Sequence, residues 1–373
     1  MNVVEVLKNL IACESVTPRE AGCFMIAEKL LLPRGFTAER FDTNGVSNVL
    51  FTKPARDRNK PRLCFAGHID VVLPGEGWSS DPFAPIEKNG EIIGRGAQDM
   101  KSGAAAFLCA CAAANYAGEL SILLTSDEEG DAVYGTRYVL EKLKSRGALP
   151  EFAIVAEPTC ENKFGDTIKV GRRGSINGVL TLRGASGHIA YPAKFDNPID
   201  KLARILPALS GAVLAEADAV FESSRLIFSD IRGGYEVTNL TPASVRLMFN
   251  VRNSPAIDEN FVRNFVENAL KNAEITDYDL AIKISSTAFL TNSPNLIAPL
   301  RAAIKAETDC DLVLGAGGGT SDARFFAEFG VAVAEFGVKN DKIHAPNESV
   351  RIADLIALEK IFANFIRRAA RQN

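Results

Sequence analysis

Paired cysteines, basic runs and long apolar stretches are all missing from this chain. Its seven cysteines, at positions 13, 23, 64, 109, 111, 160 and 310, are odd in number and form no C-x-x-C pair. They read as small apolar core residues in a reducing compartment, with the cytoplasm as the expected location. The formal net charge is −4 and no basic stretch runs long, so nucleic-acid binding has no electrostatic footprint. No window has the uninterrupted apolar length that spans a bilayer, which argues against a membrane partner. The N-terminal MNVVEVLKNLIACESVTP lacks a basic and then a continuously apolar region, so no signal peptide is expected. Val3, Val4, Leu7, Leu10 and Ile11 instead mark one face of a helix. Neither an internal repeat nor a low-complexity tract is present. What remains is ordinary globular material: 373 residues, 47% hydrophobic and 24% charged, with length for more than one core.

Histidine is scarce as well, at positions 68, 188 and 344 only. Acidic residues, by contrast, recur where apolar runs end. In LSILLTSDEEG (120–130) a β-branched run breaks into Asp127, Glu128, Glu129 and a glycine. This reads as a buried parallel strand delivering carboxylates past its carboxyl end. Side-chain directions alternate along extended chain, so neighbouring glutamates can serve different partners. RLCFAG (62–67) runs into His68 and Asp70, and FAIVAEPTC (152–160) ends on Glu157.

Between these runs lie helical patterns. Thr17-Pro18-Arg19-Glu20 predicts a capping box opening a helix to about Leu32. Asp99 or Ser102 could cap an alanine-rich helix after GRGAQDM, and a further helix is expected over 135–145. Strands alternating with helices argue for an α/β domain with a largely parallel, covered sheet. From Ile176 the pattern changes: a strand to Gly184, a helix from Asn197-Pro198 to about Leu214, strands at 226–231 and 244–251, a helix over 255–273 and a strand at 280–286. This β-α-β-β-α-β order predicts a ferredoxin-like insert over 175–287, within a first domain formed by 1–174 and 288–373. Helix 295–307 and strand 331–337 resume the α/β character.

His68, Asp99, Glu128, Glu129, Glu157 and His344 all fall just past strands or in adjoining loops. In open α/β sheets such segments converge on one crevice. Unpaired acids and histidines crowded there would repel and lose hydration at considerable cost, which one or two divalent cations resolve. Imidazole with carboxylate suits zinc, with cobalt or manganese as substitutes. Two histidines with three carboxylates fit a two-metal site with a bridging acid better than a single metal, leaving Glu128 or Glu129 as a base.

GHIDVV, GRGAQDMKSG, TSDEEG, AEPT and IHAPNE, in this order, resemble the dizinc aminoacylase and carboxypeptidase clan, over nearly the whole chain. Within it, GRRGS (171–175), SGHIAYP (186–192) with DNP (196–198), and GGTSDARF (318–325) are similar to the succinyl-diaminopimelate desuccinylase family of lysine biosynthesis. The resemblance implies a zinc-peptidase-like catalytic domain with two Zn2+ per subunit and an inserted dimerisation domain in a homodimer. It implies Asp99 as bridging ligand, His68 and Glu157 on one zinc, and Glu129 and His344 on the other. Glu128 would be the general base that takes a proton from water and hands it to the leaving amine. Asp70 would hydrogen-bond the second nitrogen of His68. The family also has a cis peptide after the bridging aspartate.

On the substrate side, consecutive Arg172 and Arg173 offer the bidentate fork that carboxylates favour, with an ordinary surface pair as the alternative. The resemblance implies that Arg172, Ser175, Gly319 and Thr320 meet a substrate carboxylate. It implies that His188 reaches the partner subunit's site to stabilise the oxyanion, assisted by Asn239. The chain departs here, since Thr238 replaces one amide of the family's usual asparagine pair. The expected reaction is hydrolysis of N-succinyl-L,L-2,6-diaminopimelate, a small molecule. The alternatives are another N-acyl amino acid or dipeptide as substrate, or a catalytically silent ligand-binding relative.

Overall fold

A computed structural model describes residues 1–371, which fall into two compact units. One comprises 1–170, 291–315 and 321 onwards, and the other 171–290 with 316–320.

The first unit is built on an eight-stranded mixed sheet. Its order is Thr37–Arg40, Asn48–Lys53, Leu120–Thr125, Leu63–His68, Phe152–Val155, Ala332–Glu335, Thr167–Lys169 and Val313–Gly315. The four central strands run parallel, and Leu63–His68 and Leu120–Thr125 are buried at every position. A strand covered on both faces has no need of alternation, so both read as continuous apolar runs. Phe65 on the central strand holds the cover in place. Its ring centroid lies 6.0 Å from Phe107 in helix Lys101–Ala112, and 5.2 and 6.1 Å from Phe362 and Phe365 in helix Ile352–Ala369. Helix Lys101–Ala112 is buried all round, and at Gly103 an added Cβ would stand 2.2 Å from the Ala156 carbonyl.

The second unit is a five-stranded antiparallel sheet in the order Val213–Ala215, Ser224–Gly233, Ser244–Asn253, Gly174–Arg183, Tyr278–Ser286. Helices Pro198–Leu209 and Glu259–Asn272 follow the first and fourth of these in chain order. The element order is the β-α-β-β-α-β expected, with one short edge strand added. Leu180, Leu247, Val251, Val262, Val266 and Leu270 form its own core, and the Phe249 ring lies where a side chain at Gly178 would be.

Three helix ends differ from the sequence reading. The second helix begins at Cys23 rather than near Pro18, because the Thr17 hydroxyl donates to Asp70 (2.7 Å), not to its own backbone. Glu20 takes over the cap, accepting from Gly22 N (2.9 Å) and Phe24 N (3.1 Å). Neither Asp99 nor Ser102 caps helix Lys101–Ala112: Asp99 turns to the histidines, and Ser102 Oγ donates back to the Gln98 carbonyl. The helix opened by Asn197 stops at Leu209, and Val213–Ala215 pairs as a strand instead. In the first helix Val6, not Val4, lies on the buried face.

Candidate metal centre

Because Leu63–His68, Leu120–Thr125 and Phe152–Val155 are parallel neighbours, their carboxyl ends lie side by side. The residues just beyond them, His68, Glu128, Glu129 and Glu157, therefore meet, as expected outside the carboxyl ends of an open sheet. Asp99 enters from the loop before helix Lys101–Ala112, and its peptide bond to Met100 is cis. His344 enters from the loop after Ala332–Glu335.

Asp99 stands between two groups. Its Oδ1 is 3.1 Å from His68 Nε2 and its Oδ2 is 3.4 Å from His344 Nε2. Glu157 Oε1 lies 3.8 Å from His68 Nε2, and Glu129 Oε1 lies 2.8 Å from His344 Nε2. Candidate ligand atoms of His68, Asp99 and Glu157 all fall within 4.8 Å of one another, as do those of Asp99, Glu129 and His344. Glu128 stands close by, Oε2 at 3.9 Å from His68 Nε2, and His68, Glu128 and Glu129 make a third such group. Asp127, the first acid of the triplet, turns away and accepts from Tyr134 N.

The residues fit divalent cations. Glu157 Oε1 is buried and accepts no hydrogen bond, an expensive state for a carboxylate with nothing to coordinate. Burial holds the Glu157 carboxyl well above its usual range, with the Asp99 charge adding to the effect. Burial likewise pushes Glu128 up to about 8, against the pull of His68, with Asp322, Asp99 and Glu129 adding negative charge. Burial pushes Asp99 the same way, but hydrogen bonds from His344 and His68 outweigh it and keep the carboxyl ionised to unusually low pH. His344 is raised to about 10 by its hydrogen bonds to Asp99 and Glu129. A cavity that holds protons this tightly holds them in the place of a cation.

Asp70 behaves differently from expectation. His68 Nδ1 hydrogen-bonds the Asp70 main-chain oxygen at 2.9 Å, whereas the carboxylate stands 3.7 Å away. Asp70 Oδ2 accepts from the Thr17 hydroxyl and Glu129 N, while Oδ1, the oxygen nearer His68, is buried with no hydrogen-bond partner. Donation from Nδ1 leaves Nε2 as the nitrogen that would ligate a cation once the proton it shares with Asp99 is displaced. Thr17 escaped the sequence reading because its spacing to Glu20 matched a cap. Asp322 escaped as well: it is buried near enough to Glu128 to raise its pKa and accepts from the Thr136 hydroxyl at 2.6 Å. Its signal was the GGTSDARF motif, in which only Gly319 and Thr320 were singled out.

The remaining candidates all lie in the second unit. Arg172 Nη1 donates to the carbonyls of Gly317 (3.1 Å) and Gly319 (2.8 Å), holding the guanidinium against the turn that carries Thr320. Gly318 has φ +91°, and a Cβ there would meet Arg172 Nη1 at 2.9 Å, so the turn needs glycine. Ser175 Oγ accepts from Asn250 Nδ2 at 2.9 Å. His188 is exposed and its Nδ1 accepts from Ala190 N. It bridges to Leu240, and Ile189 N donates to the Asn239 carbonyl, so His188 and Asn239 share one short ribbon.

The family model described as peptidase family M20/M25/M40 matches residues 64–368. A protein from Nautilia profundicola named succinyl-diaminopimelate desuccinylase is 49% identical over 368 residues, covering 98% of this chain and 99% of its own. Among solved structures, aminopeptidase PepT from Bacillus cereus superposes with a TM-score of 0.78 at 21% identity, covering 99% and 98% of the two chains. A dinuclear metal-binding peptidase of the M20 family from Bacillus subtilis does so at 0.70 and 13%, covering 98% and 96%. At these identities the structures speak for the fold alone.

Proposed function

The chain belongs to peptidase family M20/M25/M40, and from that premise we infer that it hydrolyses N-succinyl-L,L-2,6-diaminopimelate to succinate and L,L-2,6-diaminopimelate, a step of lysine biosynthesis. The observation that carries the reaction class is one carboxylate, Asp99, shared by two imidazole–carboxylate groups, with the high-pKa Glu128 beside them. The substrate rests on the desuccinylase relative at 49% identity.

In this reading Asp99 would be shared by two divalent cations, zinc with cobalt or manganese as substitutes. His68 and Glu157 would hold one and Glu129 and His344 the other. When bound, the pair would acidify a water molecule and polarise the amide carbonyl. Glu128, whose Oε2 stands 3.9 Å from His68 Nε2, accepts the proton of the attacking water and gives it back. The proton goes to the amide nitrogen as the C–N bond breaks, so diaminopimelate leaves as an amine and succinate as a carboxylate. Asp70 holds the loop of Glu129 through its N–H and fixes the His68 tautomer through its main-chain oxygen.

Arg172, Ser175, Gly319 and Thr320 bind a substrate carboxylate, a role supported by the guanidinium fixed against the Ala316–Thr320 turn. His188, assisted by Asn239, takes up the oxyanion charge in the partner's site, which makes the active form a homodimer. Residues 175–287 are the inserted dimerisation domain, and 1–174 with 288–373 the catalytic one. The enzyme works in the cytoplasm.

The test is release of primary amine by zinc-loaded protein from N-succinyl-L,L-diaminopimelate and N-acetylornithine side by side. A strong preference for the succinyl compound is expected. Preference for the acetyl compound would retain the metal chemistry and defeat the substrate assignment.

A further inference from the structure

Away from the proposed ligands, the first unit buries one complete ion pair. Arg95 and Glu348 are each 1% exposed and meet at 2.8 Å, Nη1 to Oε2. A pair taken wholly out of water gains little net stability, because desolvation cancels most of the attraction. Its use lies in what it orients.

The Glu348 carboxylate is a socket for the loop that carries Asp99. Its Oε1 accepts from Gln98 N (2.7 Å) and Asp99 N (3.0 Å), and its Oε2 from Gly96 N (3.0 Å). Arg95 reaches the other way. Its Nη2 donates to the His344 carbonyl at 3.3 Å and its Nη1 to the Ala345 carbonyl at 3.5 Å, while Pro74 O anchors Nη2 at 2.9 Å. Gln98 adds a second clamp, donating to Asp341 Oδ1 and Ser349 O and accepting from Lys342 N. His344 itself sits at φ +59°, a left-handed conformation that persists only where its surroundings over-determine it. Two loops some 250 residues apart in sequence are thus tied through one carboxylate and one guanidinium.

We propose that Glu348, with Arg95, is a positioning residue that sets the distance between Asp99 and His344 and so governs the metal position formed by Asp99, Glu129 and His344. The inference rests on the two-cation reading above. His344 serves that position alone and Asp99 serves both, whereas His68 and Glu157 hang from strand ends that the ion pair does not touch, so the loss should fall mainly on the His344 position.

The experiment is cobalt titration of Glu348→Gln, followed by visible absorption, with His344→Ala marking the affected equivalent. In Glu348→Gln the amide turns a donor toward Gly96 N or Arg95, so the shared anchor is lost at nearly constant shape. The expected result is a loss of about 10–100-fold in affinity for the equivalent that His344→Ala also weakens, with the other changed far less. The turnover number should fall while KM stays level. Arg95→Lys, which keeps the charge and loses the second arm, should weaken the same equivalent and decides the matter if Glu348→Gln does not fold. Equal weakening of both equivalents, or of neither, overturns the proposal and leaves the two-cation reading standing. Wild-type protein that binds fewer than two equivalents overturns both.

Discussion

Glu128 is a carboxyl that burial and three surrounding acids raise to about 8, although His68 pulls the other way. It stands beside the two groups that share Asp99 and outside both, the place the proposed general base requires. Replacing Glu128 with Gln should lower turnover by about 10²–10⁴-fold while metal content stays at the wild-type value. Parallel amine-release and atomic-absorption measurements check this, and loss of metal in the variant would reassign Glu128 as a ligand. The protons held in the cavity predict a pH effect too. His344 rises from 6.5 to about 10 and Glu128 from 4.5 to about 8 on folding without metal. Each folded-state pKa exceeds the unfolded one, so through these two groups the folded protein binds more protons and their contribution to stability falls with rising pH. The His344 contribution is complete below pH 6.5 and lost as pH passes about 10. Thermal scans of metal-free protein should therefore show a falling midpoint over this range, and metal-loaded protein should not, since the ligands have already given up their protons. Superimposable curves would show that these protons are not what the metal displaces.

At the scale of elements, the site depends on helix Lys101–Ala112 seating closely on the end of strand Phe152–Val155. Gly103 allows it: a Cβ would sit 2.2 Å from the Ala156 carbonyl, one residue before Glu157. Gly103→Ala gains helix propensity worth about 1 kcal/mol yet should destabilise by about 1–3 kcal/mol net through overpacking. Urea unfolding measures it, and a more stable variant would show that the helix can slide without cost. Elements were legible in the sequence where a single pattern dominated. The buried runs at 63–68, 120–125 and 152–155 announce themselves because both faces are covered. Helix ends were less so. Thr17 has the composition of a cap, but a distant carboxylate competes for its hydroxyl; Val213–Ala215 has helical neighbours, but an open strand edge competes for its backbone.

For the molecule as a whole, each unit has its own sheet and core, and the chain leaves the first unit, builds the second and returns. The six proposed metal-site residues belong to the first and the six proposed substrate-side residues to the second. On the proposed role of His188 in the partner's site, two inactive variants should rescue each other. Glu128→Ala and His188→Ala chains, refolded together, should recover about a quarter of wild-type activity, since half the dimers are mixed and each mixed dimer has one intact site. Sedimentation of the mixture checks assembly; a dimer without recovery, or a fully active monomer, would place His188 in its own subunit's chemistry or outside it.

By itself the sequence determined the fold class, the insert and the set of acids and histidines that stand at strand ends. These follow from local patterning, because a covered strand must be apolar and whatever follows it must face the crevice. Only the tertiary structure decided which of them meet. That Asp99 lies within 3.4 Å of both histidines, that the Thr17 hydroxyl donates to the Asp70 carboxylate, and that Glu348 anchors the Asp99 loop are contacts between segments 31 to 250 residues apart. Hydrogen bonds at that separation leave no periodicity in a sequence; they exist only once the sheet has brought its strand ends together.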